Sequence, residues 1–305
     1  MKSVVALGEP LYEFSRIPGA RHYAQGFGGD TSNFAVAASR AGARAVYLSR
    51  IGDDPFGDEL LGMWRAEAVD VSAVEVASGE PTGLYFITHG PQGHVFSYRR
   101  AGSAASAMRL TPRFASAIER AGYLHVSGIS QAISVAACDT VFEAIALARQ
   151  QAVPVSYDLN YRPRLWPAAR ARAIAEATIA LSDLFLPSLD EASALLGITT
   201  ADALIDWSHE RGARLVAVKA GADGAIVSDG RTRVAIPAYR VVALDATGAG
   251  DCFAGVLVTR LVAGDPLVDA ARAACVAAAL STTGYGALSA LPTWPQIAAA
   301  LNAAA

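Results

Sequence analysis

Four short apolar runs, at residues 124–126, 153–157, 184–186 and 215–218, recur at intervals of roughly thirty residues, the length of a strand plus a covering helix. The stretches between them, at about 134–151, 168–181 and 188–196, carry the apolar periodicity of helices. A strand buried on both faces reads as a continuous apolar run. Repeated strand–helix units of this length therefore predict a mainly parallel sheet covered on both sides. The N-terminal part starts the same way, with a strand at 4–7 ending at Gly8 and a β-prone piece at 11–14. A helix at 34–41 closed by Gly42 follows, then a strand at 46–48 and a helix introduced by Asp53-Asp54-Pro55 that runs to about 69. With 305 residues, 53% hydrophobic and 17% charged, the chain has the apolar content for a large core. No repeat or linker marks a boundary, so one α/β domain over 1–305 is expected.

Between residues 73 and 101 the rhythm breaks. Gly83-Leu84-Tyr85-Phe86-Ile87-Thr88 and Val95-Phe96-Ser97-Tyr98-Arg99-Arg100 flank a turn at 89–94, which predicts a hairpin outside the α/β alternation. Together these segments predict a small β-sheet from roughly 10–26 and 83–101, projecting from the main body. Tyr98 and Arg100 share a face because side chains alternate along a strand. An arginine there suits a carboxylate, which its guanidinium can clamp bidentately, and a solvated hairpin face accounts for the pattern as well. His89 and His94 fall at the turn, where solvation is expected. No histidine spacing resembles a metal site.

Ligands of such sheets bind beyond the carboxyl ends of the strands. The polar clusters fall there: Asp158-Leu159-Asn160-Tyr161-Arg162-Pro163, Ser188-Leu189-Asp190-Glu191 and Lys219-Ala220-Gly221-Ala222-Asp223-Gly224. Earlier, Gly28-Gly29-Asp30-Thr31-Ser32-Asn33 opens the helix at 34–41 with small residues that permit close approach to the backbone. A β-meander at 225–228 and 233–236 leads to Asp245-Ala246-Thr247-Gly248-Ala249-Gly250-Asp251, which opens onto a helix at about 249–263. Alanine-rich helices at about 266–283 and 293–303 end the chain. Small residues at 248–250 let backbone N–H groups converge, and the helix N-terminus adds partial positive charge, a combination that holds anionic oxygens. Asp251 then sits where a carboxylate can take a proton from a hydroxyl. Spacing alone does not separate this from a turn whose aspartate caps the helix.

The formal net charge of −3 argues against a dedicated nucleic-acid binder. Cys138, Cys252 and Cys275 are an odd number without a CxxC pair, which points to buried reduced thiols rather than disulfides or zinc. The apolar run at the start is too short for a signal peptide, and none approaches a membrane span, so a cytoplasmic protein with no membrane partner is expected. GxxxxGK[ST], GxSxG and the protein-kinase strings are absent, and no GxGxxG follows the first strand as a nicotinamide dehydrogenase would require.

The 245–251 stretch closely resembles the DTxGAGD signature of the ribokinase-like (PfkB) carbohydrate kinases. Gly28-Gly29 with Asn33, leading to Arg50-Ile51-Gly52-Asp53-Asp54, resembles that family's N-terminal signature. The resemblance covers essentially the whole chain, in order. It implies a central mainly parallel sheet flanked by helices, a small β-sheet lid over the sugar, and transfer of the ATP γ-phosphoryl group to a sugar hydroxyl. Residue by residue, it implies Asp251 as the base, already ionised with a near-normal pKa, and the amides of Gly248, Ala249 and Gly250 as the anion hole. Gly29, Asp30, Asn33, Tyr85, Tyr98, Arg100, Ile129 and Arg162 would hold the sugar. Asn160, Ser188, Lys219, Gly221, Gly224, Gly248 and Gly250 would line the nucleotide, and Glu191 would help organise Mg²⁺. The family often has Asn where Ser188 stands, which weakens that one assignment. Many relatives respond to a monovalent cation such as K⁺ near the start of the signature, and Asp245 is a structural or cation-site carboxylate on that basis. Related lids often pair in a homodimer; Leu84, Phe86, Val95 and Phe96 suit either that or packing on the body. Gly8-Glu9, Gly29 to Asn33, Tyr98 to Ser106 and Asp158 to Trp166 are most like the branch acting on 2-keto-3-deoxygluconate, an anionic sugar acid for which two arginines make sense. A fructose or other ketose kinase of the same fold is the alternative, and a non-catalytic sugar or nucleotide sensor a more distant one.

Overall fold

The computed structural model describes residues 2–17, 19–90 and 93–304. Its strands are β1 (Ser3–Leu7), β2 (Leu11–Arg16), β3 (Tyr23–Gly28), β4 (Ala45–Leu48), β5 (Arg50–Gly52), β6 (Glu75–Ala77) and β7 (Leu84–Gly90). After these come β8 (Gly93–Arg99), β9 (Ala121–Ser127), β10 (Val155–Asp158), β11 (Leu184–Leu186), β12 (Leu215–Lys219), β13 (Ala225–Ser228) and β14 (Arg233–Ile236). Eight of them form the main sheet in the order β14-β13-β12-β11-β10-β9-β1-β4. Pairing is parallel from β4 through β12 and antiparallel for β12–β13 and β13–β14.

The two faces of this sheet explain the continuous apolar runs. Along β1, Val4 and Ala6 join one apolar cluster, with Phe34, Trp64, Phe253 and Val256, while Val5 and Leu7 join the other, with Phe114, Val141, Ile145 and Ile179. From Val4 to Leu7 each side chain of the strand is buried, on alternate sides. The helices Asp30–Arg40, Ala249–Ala263 and Leu267–Ser281 cover the first face, and Val135–Gln150, Ala168–Ile179 and Ala201–Glu210 the second.

The hairpin and the segment near the N-terminus combine as expected in a four-stranded sheet, β3-β2-β7-β8. One of its faces carries Tyr12, Phe14 and Phe86 onto Phe56 of the body, with the Phe14 and Phe86 rings stacked at 5.2 Å. Leu84 packs against the same core. Thus Leu84 and Phe86 face the body, while Val95 remains exposed. Pro91 and Gln92 of the turn, and the side chains of His89 and His94, lie outside the described residues.

The helix from Pro55 ends at Ala66, short of 69, where Ala68 takes a left-handed φ of 55°. The helices Pro112–Glu119 and Ala201–Glu210 were not expected, although Thr111 and Thr200 cap them in the usual manner. The short helix Gly128–Ala132 and the β5–β6 pair were also not expected. All three cysteines are free and buried. Among the described residues, no helix is long and apolar enough to cross a membrane.

Candidate active site

A cleft of about 1530 Å³ lies between the carboxyl ends of the parallel strands and the small sheet. Of the residues singled out in the sequence, Gly29, Asp30, Asn33, Tyr85, Tyr98, Arg100, Ile129, Asn160, Arg162, Ser188, Glu191, Lys219, Gly221 and 248–251 all line it. Gly224 does not. Its left-handed φ of 97° and the 2.1 Å that would separate a Cβ from the Ile236 carbonyl show that the turn ahead of β13 requires glycine there.

On the body side, the helix Ala249–Ala263 is capped by Gly248 at φ 77°, with no side chain satisfying its first amides. Asp251 is therefore not the N-cap. It lies in the first turn, where its Oδ2 accepts a hydrogen bond from Asn33 Nδ2 at 2.8 Å. Asp245 is held in the preceding turn, accepting from the Thr247 amide at 2.9 Å, the Thr247 hydroxyl at 2.7 Å and the Gly286 amide at 2.8 Å. Lys219 Nζ meets Asp158 Oδ2 at 2.6 Å and would stand 3.5 Å from a Cβ on Gly250, which places its charge beside the helix N-terminus. Asp30 accepts from the Ser127 hydroxyl and from Asn160 Nδ2, the latter at 2.8 Å. Asn160 reaches it from an unusual φ of 37°, a conformation that asparagine tolerates better than most side chains.

This concentration of carboxylates corrects the expectation of a near-normal pKa at Asp251. Burial first, then the nearby Asp30 charge, push the Asp251 carboxyl well above the usual carboxylate range, against the Asn33 hydrogen bond and Lys219. Burial likewise raises Asp158, with Lys219 opposing it. A carboxylate in such a setting is a stronger base once ionised than a solvated one.

On the other side of the cleft, Arg100 is already paired. It meets the buried carboxylate of Glu9 and lies over the Tyr98 ring at 4.8 Å. Burial pushes Glu9 up to about 7 despite Arg100. Arg162 pairs with Glu191 at 2.7 Å, so an expected sugar ligand and the expected metal residue hold each other. Ser188 caps the helix Leu189–Leu196, its hydroxyl accepting from the Glu191 amide at 3.2 Å, which fixes the backbone that carries Glu191. Tyr85 donates its hydroxyl to Glu13. Glu9, Glu13 and Asp158 had no role in the sequence reading. Gly8-Glu9 was visible only as part of a resemblance, and each partner is far away in the chain.

Among the described residues, no group of three or more His, Cys, Asp or Glu side chains is arranged to hold a metal. Glu191 Oε2 is nevertheless buried with no hydrogen-bond partner, which fits an ion held mainly by phosphate oxygens and water, with one carboxylate oriented through that water. The arrangement can hold an anion at the helix N-terminus, remove a proton at Asp251 and bind polar groups along the small sheet.

The profile of the pfkB family carbohydrate kinases matches residues 1–294. The chain is 36% identical over 296 residues to 2-dehydro-3-deoxygluconokinase of Thermoproteus tenax, covering 94% of this chain and 89% of that one. It is 32% identical over 286 residues to 2-dehydro-3-deoxygluconokinase of Bacillus subtilis (strain 168), covering 92% and 88%. Among solved structures it is similar to fructokinase from Vibrio cholerae O395 in fructose-, ADP- and calcium-bound form, with a TM-score of 0.87, 28% identity and coverage of 98% and 99%.

Proposed function

This chain belongs to the pfkB family of carbohydrate kinases, and from that premise we propose that it phosphorylates 2-keto-3-deoxygluconate, also called 2-dehydro-3-deoxygluconate, on its 6-hydroxyl with ATP. The observation that carries this reading is the meeting, in one cleft, of an aspartate at a helix N-terminus with two arginines. Asp251 faces the phosphoryl end, while Arg100 of the lid and Arg162 after β10, each paired with a carboxylate of the protein, line the same cleft and would turn toward a sugar carboxylate.

In this reading the residues divide the work. Asn33 orients Asp251, which takes the proton of the 6-hydroxyl as the phosphorus–oxygen bond forms. The amides of Gly248, Ala249 and Gly250, with Lys219 beside them, hold the phosphoryl oxygens as charge builds up. Asn160, Ser188, Gly221 and Lys219 form the nucleotide side, and Gly29, Asp30, Asn33, Tyr85, Tyr98, Ile129 and the two arginines the acceptor side. Mg²⁺, when bound, neutralises phosphate charge, and Glu191 would orient its water. Asp245 would keep the turn in shape whether or not K⁺ binds nearby. The small sheet acts as a lid that excludes water from one catalytic unit spanning 1–305. Its exposed Tyr23 and Val95 suit pairing with a second copy, and a sedimentation mass of one chain would count against that. An ATP-dependent reaction suits a cytoplasmic enzyme.

The reading is tested by ATP-dependent ADP release over a panel of sugar acids and ketoses. Preference for 2-keto-3-deoxygluconate supports it, and preference for fructose overturns it. One observation favours the fructose alternative: both arginines already have carboxylate partners, Glu9 and Glu191, which reduces their net charge toward a substrate.

A further inference from the structure

Across the lid sheet the register brings three polar side chains into one row: Glu13 of β2 is paired with Tyr85 of β7, and Tyr85 with Tyr98 of β8. They share the face opposite the Phe14–Phe86 stack, and Tyr85 and Tyr98 line the cleft with their rings 5.9 Å apart. Two glycines of β3 make room for this row. A Cβ on Gly26 would press on Glu13 Oε1 at 3.2 Å, and one on Gly28 would meet the Tyr85 hydroxyl at 2.5 Å. Both Glu13 and Tyr85 are buried, and the hydroxyl of Tyr85 donates to Glu13.

We propose that Glu13 is a positioning residue that fixes the proton of the Tyr85 hydroxyl, so that Tyr85 offers only lone pairs to the cleft and selects a sugar hydroxyl over a carboxylate or carbonyl oxygen. A phenol has one proton to give. With that proton committed to Glu13, the oxygen accepts from a hydroxyl donor and repels an oxygen that has none. Burial raises Glu13, while the hydrogen bond from Tyr85 favours its charged, accepting form, and the Asp245 charge bears on both residues. The consequence is directional. A sugar acid placed here is turned with its carboxylate toward Arg100 and Arg162. The inference deepens the reading of the acceptor site above but does not depend on the acceptor being an acid.

The test is a double-mutant cycle on the full chain with Glu13→Gln, Tyr85→Phe and the pair, using whichever acceptor the wild type phosphorylates best. Glutamine keeps the shape of Glu13 but lacks its charge and can donate as well as accept, so the proton of the phenol is no longer fixed. Each single variant should raise the acceptor KM roughly tenfold, the size of one buried hydrogen bond, with kcat and the KM for ATP within about twofold. The pair should be no worse than Tyr85→Phe alone, because Glu13 acts through that hydroxyl. Glu13→Asp, which keeps the charge but falls short of Tyr85, should copy Glu13→Gln. Additive effects, an unchanged acceptor KM in Glu13→Gln, or an equal rise in the KM for ATP would each overturn the proposal. A wild type that prefers a neutral ketose would sink the sugar-acid reading while leaving this cycle intact.

Discussion

The two walls of the cleft are built from different materials. On the body, the polar groups stand at the ends of strands buried on both faces, and they hold one another: Asn33 with Asp251, Asn160 with Asp30, Lys219 with Asp158. On the lid, a thin sheet has one face on the body and leaves Tyr23, Val95 and Tyr98 at least 40% exposed. Arg100 against Glu9 ties it to the main body within the cleft. Groups fixed before the substrate arrives suit charge stabilisation, which costs no reorganisation at the moment of reaction. Groups on a sheet with one face turned to the cleft suit capture of the acceptor. The difference implies that turnover and part of the acceptor affinity are separable, the first residing in the body and that part of the second in the lid.

The strongest way to break that separation is Asp251→Asn. Loss of the base should lower kcat roughly 10³-fold while both KM values stay within about threefold, as read by steady-state ADP release. A loss of that size from any lid residue, or near-normal turnover in Asp251→Asn, would dissolve the division between the walls.

The lid is probed next by removing Arg100. Deleting it alone would strand the buried Glu9 carboxylate, so Arg100→Met is best made together with Glu9→Gln. The double variant should raise the KM for a sugar acid roughly 30-fold, the value of a charge-assisted hydrogen bond, with kcat nearly unchanged. A neutral ketose should be affected much less. Equal losses for both sugars would mean that Arg100 shapes the lid rather than recognising a carboxylate.

What the sequence made legible follows the same line. The body's chemistry was readable because it lies in short contiguous stretches at strand ends, such as 158–163 and 245–251, whose placement the strand–helix rhythm dictates. The lid strands were readable too, from alternation around a turn. The partners were not. Glu9 with Arg100, Glu13 with Tyr85 and Lys219 with Asp158 are joined only by the fold, and no spacing links residues so far apart in the chain. The same gap explains the error at Asp251, because a raised carboxyl depends on Asp30, brought beside it by a different helix. The structural demand on Gly224 was hidden for the opposite reason. A glycine in a polar cluster reads as room for a ligand, whereas here the neighbouring backbone of Ile236 requires it.

The smallest expected effect tests how firmly Glu9 binds the two walls. Its carboxyl is raised from an ordinary 4.5 to about 7, chiefly by burial, so the folded protein holds that proton more tightly than the unfolded chain. The associated stability is fully present below the unfolded value and is lost as pH rises through the folded one. Asp158 and Asp251, also raised by burial, act in the same direction from inside the body. The ligand-free protein should therefore melt a few degrees lower at about pH 8 than at about pH 5. Glu9→Gln has no proton to lose, so it should flatten the part of that slope due to the lid contact and leave the part due to Asp158 and Asp251. If Glu9→Gln leaves the whole slope unchanged, the Glu9 carboxyl does not gain its proton on folding, and the Arg100 contact is an ordinary ion pair between two charged groups. A slope that disappears entirely would place the proton linkage at the seam between lid and body rather than among the body's own carboxylates.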